Sequence, residues 1–177
     1  MVDALKPYVD SGMPILGLEP SCLFTMRDEF VSLLPGEATT ALAKQAMLFE
    51  EFLAAESDAG RLKLDLKPVG KKALLHGHCH QKAFAAMGAV EKALRLVPGL
   101  EVSTVESGCC GMAGSFGYEA EHFEISMAMA ELSLLPAVRA APGALIVADG
   151  ASCRQQIADG TARQALHVAR VLADHLA

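Results

Sequence analysis

Two cysteines side by side and boxed by glycines, in Ser107-Gly108-Cys109-Cys110-Gly111, constrain this chain more than any other feature. Neighbouring cysteines do not readily bridge to each other, because such a disulfide forces a strained ring onto the peptide between them. They can instead face one shared partner, a metal ion or an iron-sulfur centre, provided the backbone turns tightly, which the flanking glycines allow. Cys79 lies 30 positions before the pair and Cys153 lies 43 after it. A fold that uses these thiols together must bring the chain back to one place twice.

With 177 residues the chain can bury a proper core and needs neither disulfides nor metal merely to fold, so a bound metal would be functional. The net charge of -6 and the lack of Lys/Arg blocks argue against nucleic acid or an anionic membrane surface as a partner. No apolar run approaches the roughly 20 residues of a membrane span. The opening Met1-Val2-Asp3-Ala4-Leu5-Lys6 lacks a signal-peptide core, and the chain reads as cytoplasmic. Five cysteines, an odd number, do not describe a secreted disulfide framework, and a reducing compartment suits free thiolate ligands. Tryptophan is absent, which leaves little for recognition by ring stacking.

Short β-type runs alternate with longer helical patterns. The strand candidates are 13–18, 72–76, 100–105 and 144–148, three of them nearly all apolar, as strands buried on both faces are. Helical stripes run through Leu42, Ala46, Phe49 and Leu53, through Ala83, Met87, Val90, Leu94 and Val97, and through Phe123, Met127, Ala130 and Leu134. A last helix is expected from a capping box at Thr161 and Gln164, with Ala165, Val168, Ala169, Leu172 and Leu176 on one face. This alternation predicts an α/β fold, a Rossmann-like open parallel sheet flanked by helices. Every cysteine then follows a predicted strand: Cys22, Cys79, the Cys109-Cys110 pair and Cys153 sit at the C-terminal ends, the edge where open parallel sheets bind ligands.

A short repeat supports this arrangement. The stretch from Ile15 to Cys22 and that from Ile146 to Cys153 each carry an apolar strand, an acidic residue, a turn residue and Ser-Cys opening a helix. Two related halves are expected: 1–66 as the incomplete tail of a first cysteine-rich half and 67–177 as a complete second half. The chain reads as a piece of a larger protein.

The fuller strings, Gly17-Leu18-Glu19-Pro20-Ser21-Cys22, His76-Gly77-His78-Cys79-His80-Gln81-Lys82, Gly108-Cys109-Cys110-Gly111-Met112-Ala113-Gly114 and Gly150-Ala151-Ser152-Cys153, resemble a known pattern. They are similar to the cysteine-rich CCG domain found in the B-subunit of heterodisulfide reductase, the iron-sulfur component of glycolate oxidase and the C-subunit of anaerobic glycerol-3-phosphate dehydrogenase. They look most like the C-terminal module of large proteins that fuse an FAD-linked oxidase domain, a ferredoxin-like domain and this unit. The resemblance covers nearly the whole chain from about Gly12. It implies an electron-transfer module of a flavin-dependent 2-hydroxy-acid oxidoreductase acting on glycolate, D-lactate or D-2-hydroxyglutarate. FAD would belong to a missing part or a partner. The implied partners are a flavoprotein domain or subunit and a ferredoxin-like iron-sulfur domain, with a peripheral, quinone-linked contact at the inner face of the membrane made through them. Where the family pattern carries a further cysteine this chain has Gln156, with Thr25 as its counterpart in the first half, so five-ligand clusters are not expected.

Cys79, Cys109, Cys110 and Cys153 are the expected ligands of a [4Fe-4S] cluster, since soft thiolates match iron and spread its charge. A zinc ion in a structural or scaffolding role is the alternative. Taken singly, each thiol could be no more than a small buried hydrophobe. Cys22 is expected as a free thiol or an incidental fifth sulfur. His76, His78 and His80 recur with period two and in an extended segment share a face that excludes Cys79; His78 and His80 could ligate zinc, tune a cluster from outside, or serve only packing. Cys79 with His78 or His80 could also form a nucleophilic pair, which leaves Cys109-Cys110 unexplained. Gly111, Gly114 and Gly117 match no nucleotide-binding fingerprint and read as backbone freedom in a metal-facing loop. Glu106, Glu119, Glu121 and Glu124 read as a solvated face.

Overall fold

The computed structural model describes residues 1–177, an α/β chain with two parallel sheets flanked by helices. The smaller sheet pairs β1 (Ile15–Gly17) with β2 (Ala46–Leu48), and the larger has the order β4 (Leu100–Thr104), β3 (Lys71–Leu75), β5 (Leu145–Val147), β6 (Ala165–Leu166). The chain runs outward from β3 to β4, then crosses back past β3 to β5. That reversal opens a crevice beyond the carboxyl ends of β3 and β5, the place where doubly wound sheets take ligands. Ile146 and Val147 of β5 are 2% and 0% exposed and enter different core clusters, which is why this run is apolar without alternation.

Helices cover both faces of the larger sheet. On one side lie α5 (Phe49–Asp58), α7 (Met87–Leu94) and α11 (Val168–Asp174), whose Leu53, Val90, Leu94, Val168 and Val171 pack on Ala73, Leu75 and Val147. On the other lie α8 (Phe123–Glu131), α9 (Leu134–Ala140) and α10 (Ala151–Thr161), with Ala130, Leu134, Leu135, Val138 and Ile157 against Ile146 and Ala148. The N-terminal portion carries α1 (Val2–Asp10), α2 (Pro20–Arg27), α3 (Glu29–Leu33) and α4 (Glu37–Gln45) around the smaller sheet.

The two sheets meet along a short seam. Phe24 of α2 stacks on Phe84, which follows α6 (Cys79–Ala83), with centroids 4.4 Å apart. The Arg27 guanidinium lies over both rings and donates to Glu51 at 2.9 and 3.0 Å. Glu19, just before α2, accepts from the Ala151 N–H at 2.9 Å and so occupies the start of α10. The two Ser-Cys repeats thus sit side by side, each a strand followed by a helix.

Four local expectations are corrected. The stripe through Leu42 and Leu53 is not one helix: Ala46–Leu48 leaves the helical path to pair with Ile15–Gly17, burying Ala46 and Leu48. The stripe from Ala83 to Val97 breaks at Ala85, which adopts φ 56. The stripe from Phe123 to Leu134 breaks at Leu132-Ser133, and Phe123 is half exposed. Thr161 caps no helix; it ends α10, donates its hydroxyl to the Ile157 carbonyl and precedes the left-handed Ala162. Ala165–Leu166 then forms β6, and His167 rather than Thr161 caps the last helix by accepting from the Ala169 N–H at 3.0 Å. In each case pairing or packing with distant chain outweighs a local period.

Leu75 in the central strand is fully buried, whereas Leu132 is 83% exposed. Leu75→Ala is expected to lower the unfolding free energy by about 2–5 kcal/mol, and Leu132→Ala to change it by no more than about 0.5 kcal/mol. Urea denaturation of both variants checks this; equal effects would contradict the assigned core.

Candidate metal centre

Three strand ends deliver the thiols to the crevice. After β3 the chain continues extended, with the His76 N–H donating to the Val147 carbonyl at 2.8 Å, and then turns into α6 at Cys79. That helix starts where it does because His78 caps it: His78 Nδ1 accepts from the His80 N–H, and Gln81 Oε1 accepts from the His78 N–H at 2.9 Å. Cys109 and Cys110 follow β4 in a loop, and Cys153 lies in the first turn of α10. All four line one cavity of about 340 Å³ together with His78, His80, Ser21, Ser152, Ala113 and Gly114.

Cys110 and Cys153 are buried with sulfurs 3.2 Å apart, Cys109 is half-buried, and Cys79 is exposed at the mouth. Hydrogen bonding with Cys110 and Cys79 holds the Cys109 thiol far below its ordinary range, and the same coupling together with burial pushes Cys79 and Cys110 up. Hydrogen bonding with Cys110 holds Cys153 down to about 5 against the opposing effect of burial, with His76 and His78 adding to the depression. The Gly111 N–H also points at Cys109 Sγ, 3.3 Å away. This is a row of sulfurs arranged to carry negative charge, and thiolate is the form that binds metal.

The loop is held from three directions. Gly111 has φ 95, and a side chain there would run into the Ser126 carbonyl of α8. Gln156, 2% exposed, donates to the Cys110 carbonyl at 3.0 Å and to the Ser126 carbonyl and hydroxyl at 3.0 and 2.9 Å. The position expected to lack a ligand therefore carries the tether of a ligand loop. Lys82, at the end of α6, donates to the carbonyls of Ser107 and Gly108 and to the Ser107 hydroxyl. Burial lowers the Lys82 ammonium pKa, partly offset by the sulfurs of Cys153, Cys79, Cys109 and Cys110.

The histidines divide differently from the extended-strand expectation, because the chain turns helical at Cys79. His78 and His80 stack with centroids 5.2 Å apart, and each places its Nδ1 3.8 Å from Cys79 Sγ. Burial lowers the His78 pKa, favouring the neutral ring that can ligate. His76 puts a ring nitrogen within 4.8 Å of both the Cys110 and Cys153 sulfurs, and its buried Nε2 has no hydrogen-bond partner. Cys22 stands apart: it is exposed and does not line the cavity, although its neighbour Ser21 does. Glu106, Glu119, Glu121 and Glu124 are all exposed, but they do not share one helix face: only Glu124 lies in α8, and Glu106 is in the loop after β4. Lys82 and Ser152 could not be picked out from sequence, since a lysine ending a short helix and a serine opening one carry no signal of their own.

Fold and site together define an α/β module with a thiol-lined cavity at the carboxyl edge of its sheet. The proteins it resembles are dehydrogenases or parts of them. It is 30% identical over 177 residues to the C-subunit of the anaerobic glycerol-3-phosphate dehydrogenase of Escherichia coli K12, covering 99% of this chain and 44% of that one. It is 32% identical over 160 residues to the D-2-hydroxyglutarate dehydrogenase of the same organism, covering 88% and 15%. To that of Pseudomonas putida it is 29% identical over 175 residues, covering 95% and 16%. The chain thus spans less than half the length of these relatives. No family model and no solved structure matches it.

Gly111 and Gly114 separate two costs of the loop. Both have positive φ, but nothing stands within 4 Å of a Cβ at Gly114. Gly114→Ala is expected to cost only the left-handed backbone penalty, about 1–2 kcal/mol, and Gly111→Ala clearly more because the Ser126 backbone must also move. Thermal denaturation of the two metal-free variants checks the order; the reverse order would contradict the loop packing described.

Proposed function

We propose that this chain is the iron-sulfur electron-transfer module of a flavin-dependent dehydrogenase, with Cys79, Cys109, Cys110 and Cys153 holding a [4Fe-4S] cluster. The observation that carries the reading is the shared cavity: four thiols from three strand ends, with no competing packing role for Cys79 at its open mouth. The donor chemistry fits, because an all-thiolate set is the usual ligation of such a cluster. When bound, the cluster would supply storage of a single electron. The chain's own residues would do the rest. Gly111, Gln156 and Lys82 hold the Cys109-Cys110 loop in place, the Lys82 ammonium offsets thiolate charge, and the buried walls around Cys110 and Cys153 keep water from two of the sulfurs.

Within this reading residues 67–177 form a complete cysteine-rich unit and 1–66 the tail of another, and Cys22 serves no centre within this chain. The named relatives point to glycerol 3-phosphate or a 2-hydroxy acid such as D-2-hydroxyglutarate as the oxidised compound. Its oxidation would occur on FAD in a flavoprotein domain or subunit, with electrons passing through a ferredoxin-like domain and this module toward a quinone-linked acceptor. No helix is long and apolar enough to cross a membrane. Contact with a membrane, in this reading, is peripheral and made through partners.

One observation favours zinc as a second reading. The site offers nitrogen beside sulfur, with His76 facing Cys110 and Cys153, and His78 and His80 flanking Cys79. Mixed Cys/His sets are common for structural zinc.

Anaerobic reconstitution with iron and sulfide, followed by metal analysis, distinguishes the two. The cluster reading expects a brown protein with broad visible absorption and about four irons and four sulfides per chain, both lost in Cys109→Ser. A colourless, iron-free product that takes up one zinc would overturn it in favour of the structural role.

A further inference from the structure

Behind the thiol cavity a second group of donors converges. Glu50, Asp149 and His167 each bring one ligating atom into a set whose members lie within 4.8 Å of one another. They come from separate parts of the fold. Glu50 is in the first turn of α5, Asp149 in the turn between β5 and α10, and His167 immediately before α11.

The environment of Glu50 is the anomaly. Its side chain is 0% exposed, and neither carboxyl oxygen has a hydrogen-bond partner. A buried carboxyl left without partners is a costly arrangement, and native structures seldom tolerate one unexplained. Asp149, also buried, is satisfied: Oδ2 accepts from Gln81 Nε2 at 2.7 Å and Oδ1 from the Val168 N–H at 3.0 Å. Neither carboxyl pairs with a lysine or arginine, although the Arg154 guanidinium donates to the main-chain carbonyl of Asp149; His167 Nδ1 lies 3.5 Å from Asp149 Oδ1 and 3.9 Å from Glu50 Oε1. Since Nδ1 accepts from the Ala169 N–H at 3.0 Å, the ring carries its proton on Nε2, facing the Leu18 carbonyl at 2.8 Å. A ring in that tautomer brings a lone pair and no positive charge.

Two carboxyl groups and an imidazole lone pair form a donor set for a divalent first-row cation. Metal bonds of about 2.0–2.2 Å place neighbouring ligand atoms roughly 3–4 Å apart, and the two measured separations of 3.5 and 3.9 Å fall in that interval. We propose that Glu50, Asp149 and His167 form a second cation site, separate from the thiols and preferring nitrogen and oxygen over sulfur chemistry. The ion satisfies the orphaned Oε1 of Glu50 and ties α5 to the turn before α10 and to the start of α11. His167 gives up one neutral hydrogen bond, from Ala169, to bind it. An open depression of about 470 Å³, lined by Leu18, Glu19, Asp149, Arg154, His167 and Arg170 among others, reaches Asp149 and His167 of the set. Asp149 also holds Gln81, which caps the helix carrying Cys79, so the two sites share one hydrogen-bonded support.

Manganese(II) is the suitable probe, since it favours oxygen donors over thiolates. Titration of the full chain, read by the electron paramagnetic resonance signal of free aqueous manganese, is expected to show one ion retained per chain. Removing an indirect support of a metal ligand already costs about tenfold in affinity or more, so loss of a ligand itself in Glu50→Gln should weaken binding by at least that factor. His167→Asn keeps an acceptor for the Ala169 N–H while removing the imidazole, and should weaken binding alike with the fold intact by circular dichroism. Cys110→Ser and Cys153→Ser should retain the ion as the unaltered chain does. Absence of retained manganese, equal binding in both Glu50→Gln and His167→Asn, or loss of binding in the cysteine variants would overturn the proposal.

Discussion

A thiolate is stable in a confined space only if something positive lies beside it, and here four sulfurs crowd a single cavity. Lys82 is the lysine whose pKa these sulfurs influence, and it grips the carbonyls of Ser107 and Gly108 rather than any sulfur. Hydrogen bonding among the thiols sets their acidities against one another: Cys109 and Cys153 are held down, while Cys79 and Cys110 are pushed up. In the proposed reading a bound cationic centre would replace the thiol protons, as ligand thiols must lose theirs to bind metal. The sheet order, the glycine-bent loop and the caps of α6 and α11 all serve to hold the row of thiols.

The crevice exists because the chain reverses direction at β3, and its geometry is set by buried polar side chains. Gln156 fastens the Cys110 carbonyl to Ser126 of α8, while Gln81 and Asp149 join the starts of α6 and α11. Such contacts lie in the interior, where an unmade hydrogen bond is expensive and each donor therefore fixes its acceptor's place. Gln156, where the resemblance leads one to expect a further cysteine, acts as a clamp on this loop.

Much of this was legible in the chain and some was not, for physical reasons. The run at 144–148 declared itself as a strand because β5 is buried or half-buried in a parallel sheet, where apolar residues persist without alternation, while 100–105 shows the mixed pattern of the largely exposed edge strand β4. Ala46–Leu48 and Ala165–Leu166 gave no such signal, since strands of three and two residues exist only through partners far along the chain. The thiol cluster was readable because adjacent cysteines have few other uses. Lys82, the grip of Gln156 and the meeting of Glu50 with Asp149 and His167 were hidden, because each depends on neighbours that tertiary folding alone supplies.

The central claim is that four particular thiols share one centre while Cys22 does not. Differential alkylation under anaerobic conditions, with each cysteine quantified by mass spectrometry before and after loading with iron and sulfide, tests it most directly. Loading is expected to protect Cys79, Cys109, Cys110 and Cys153 together and to leave Cys22 as reactive as before. Protection of Cys22, or continued labelling of Cys79 or Cys109 in the loaded protein, would contradict it.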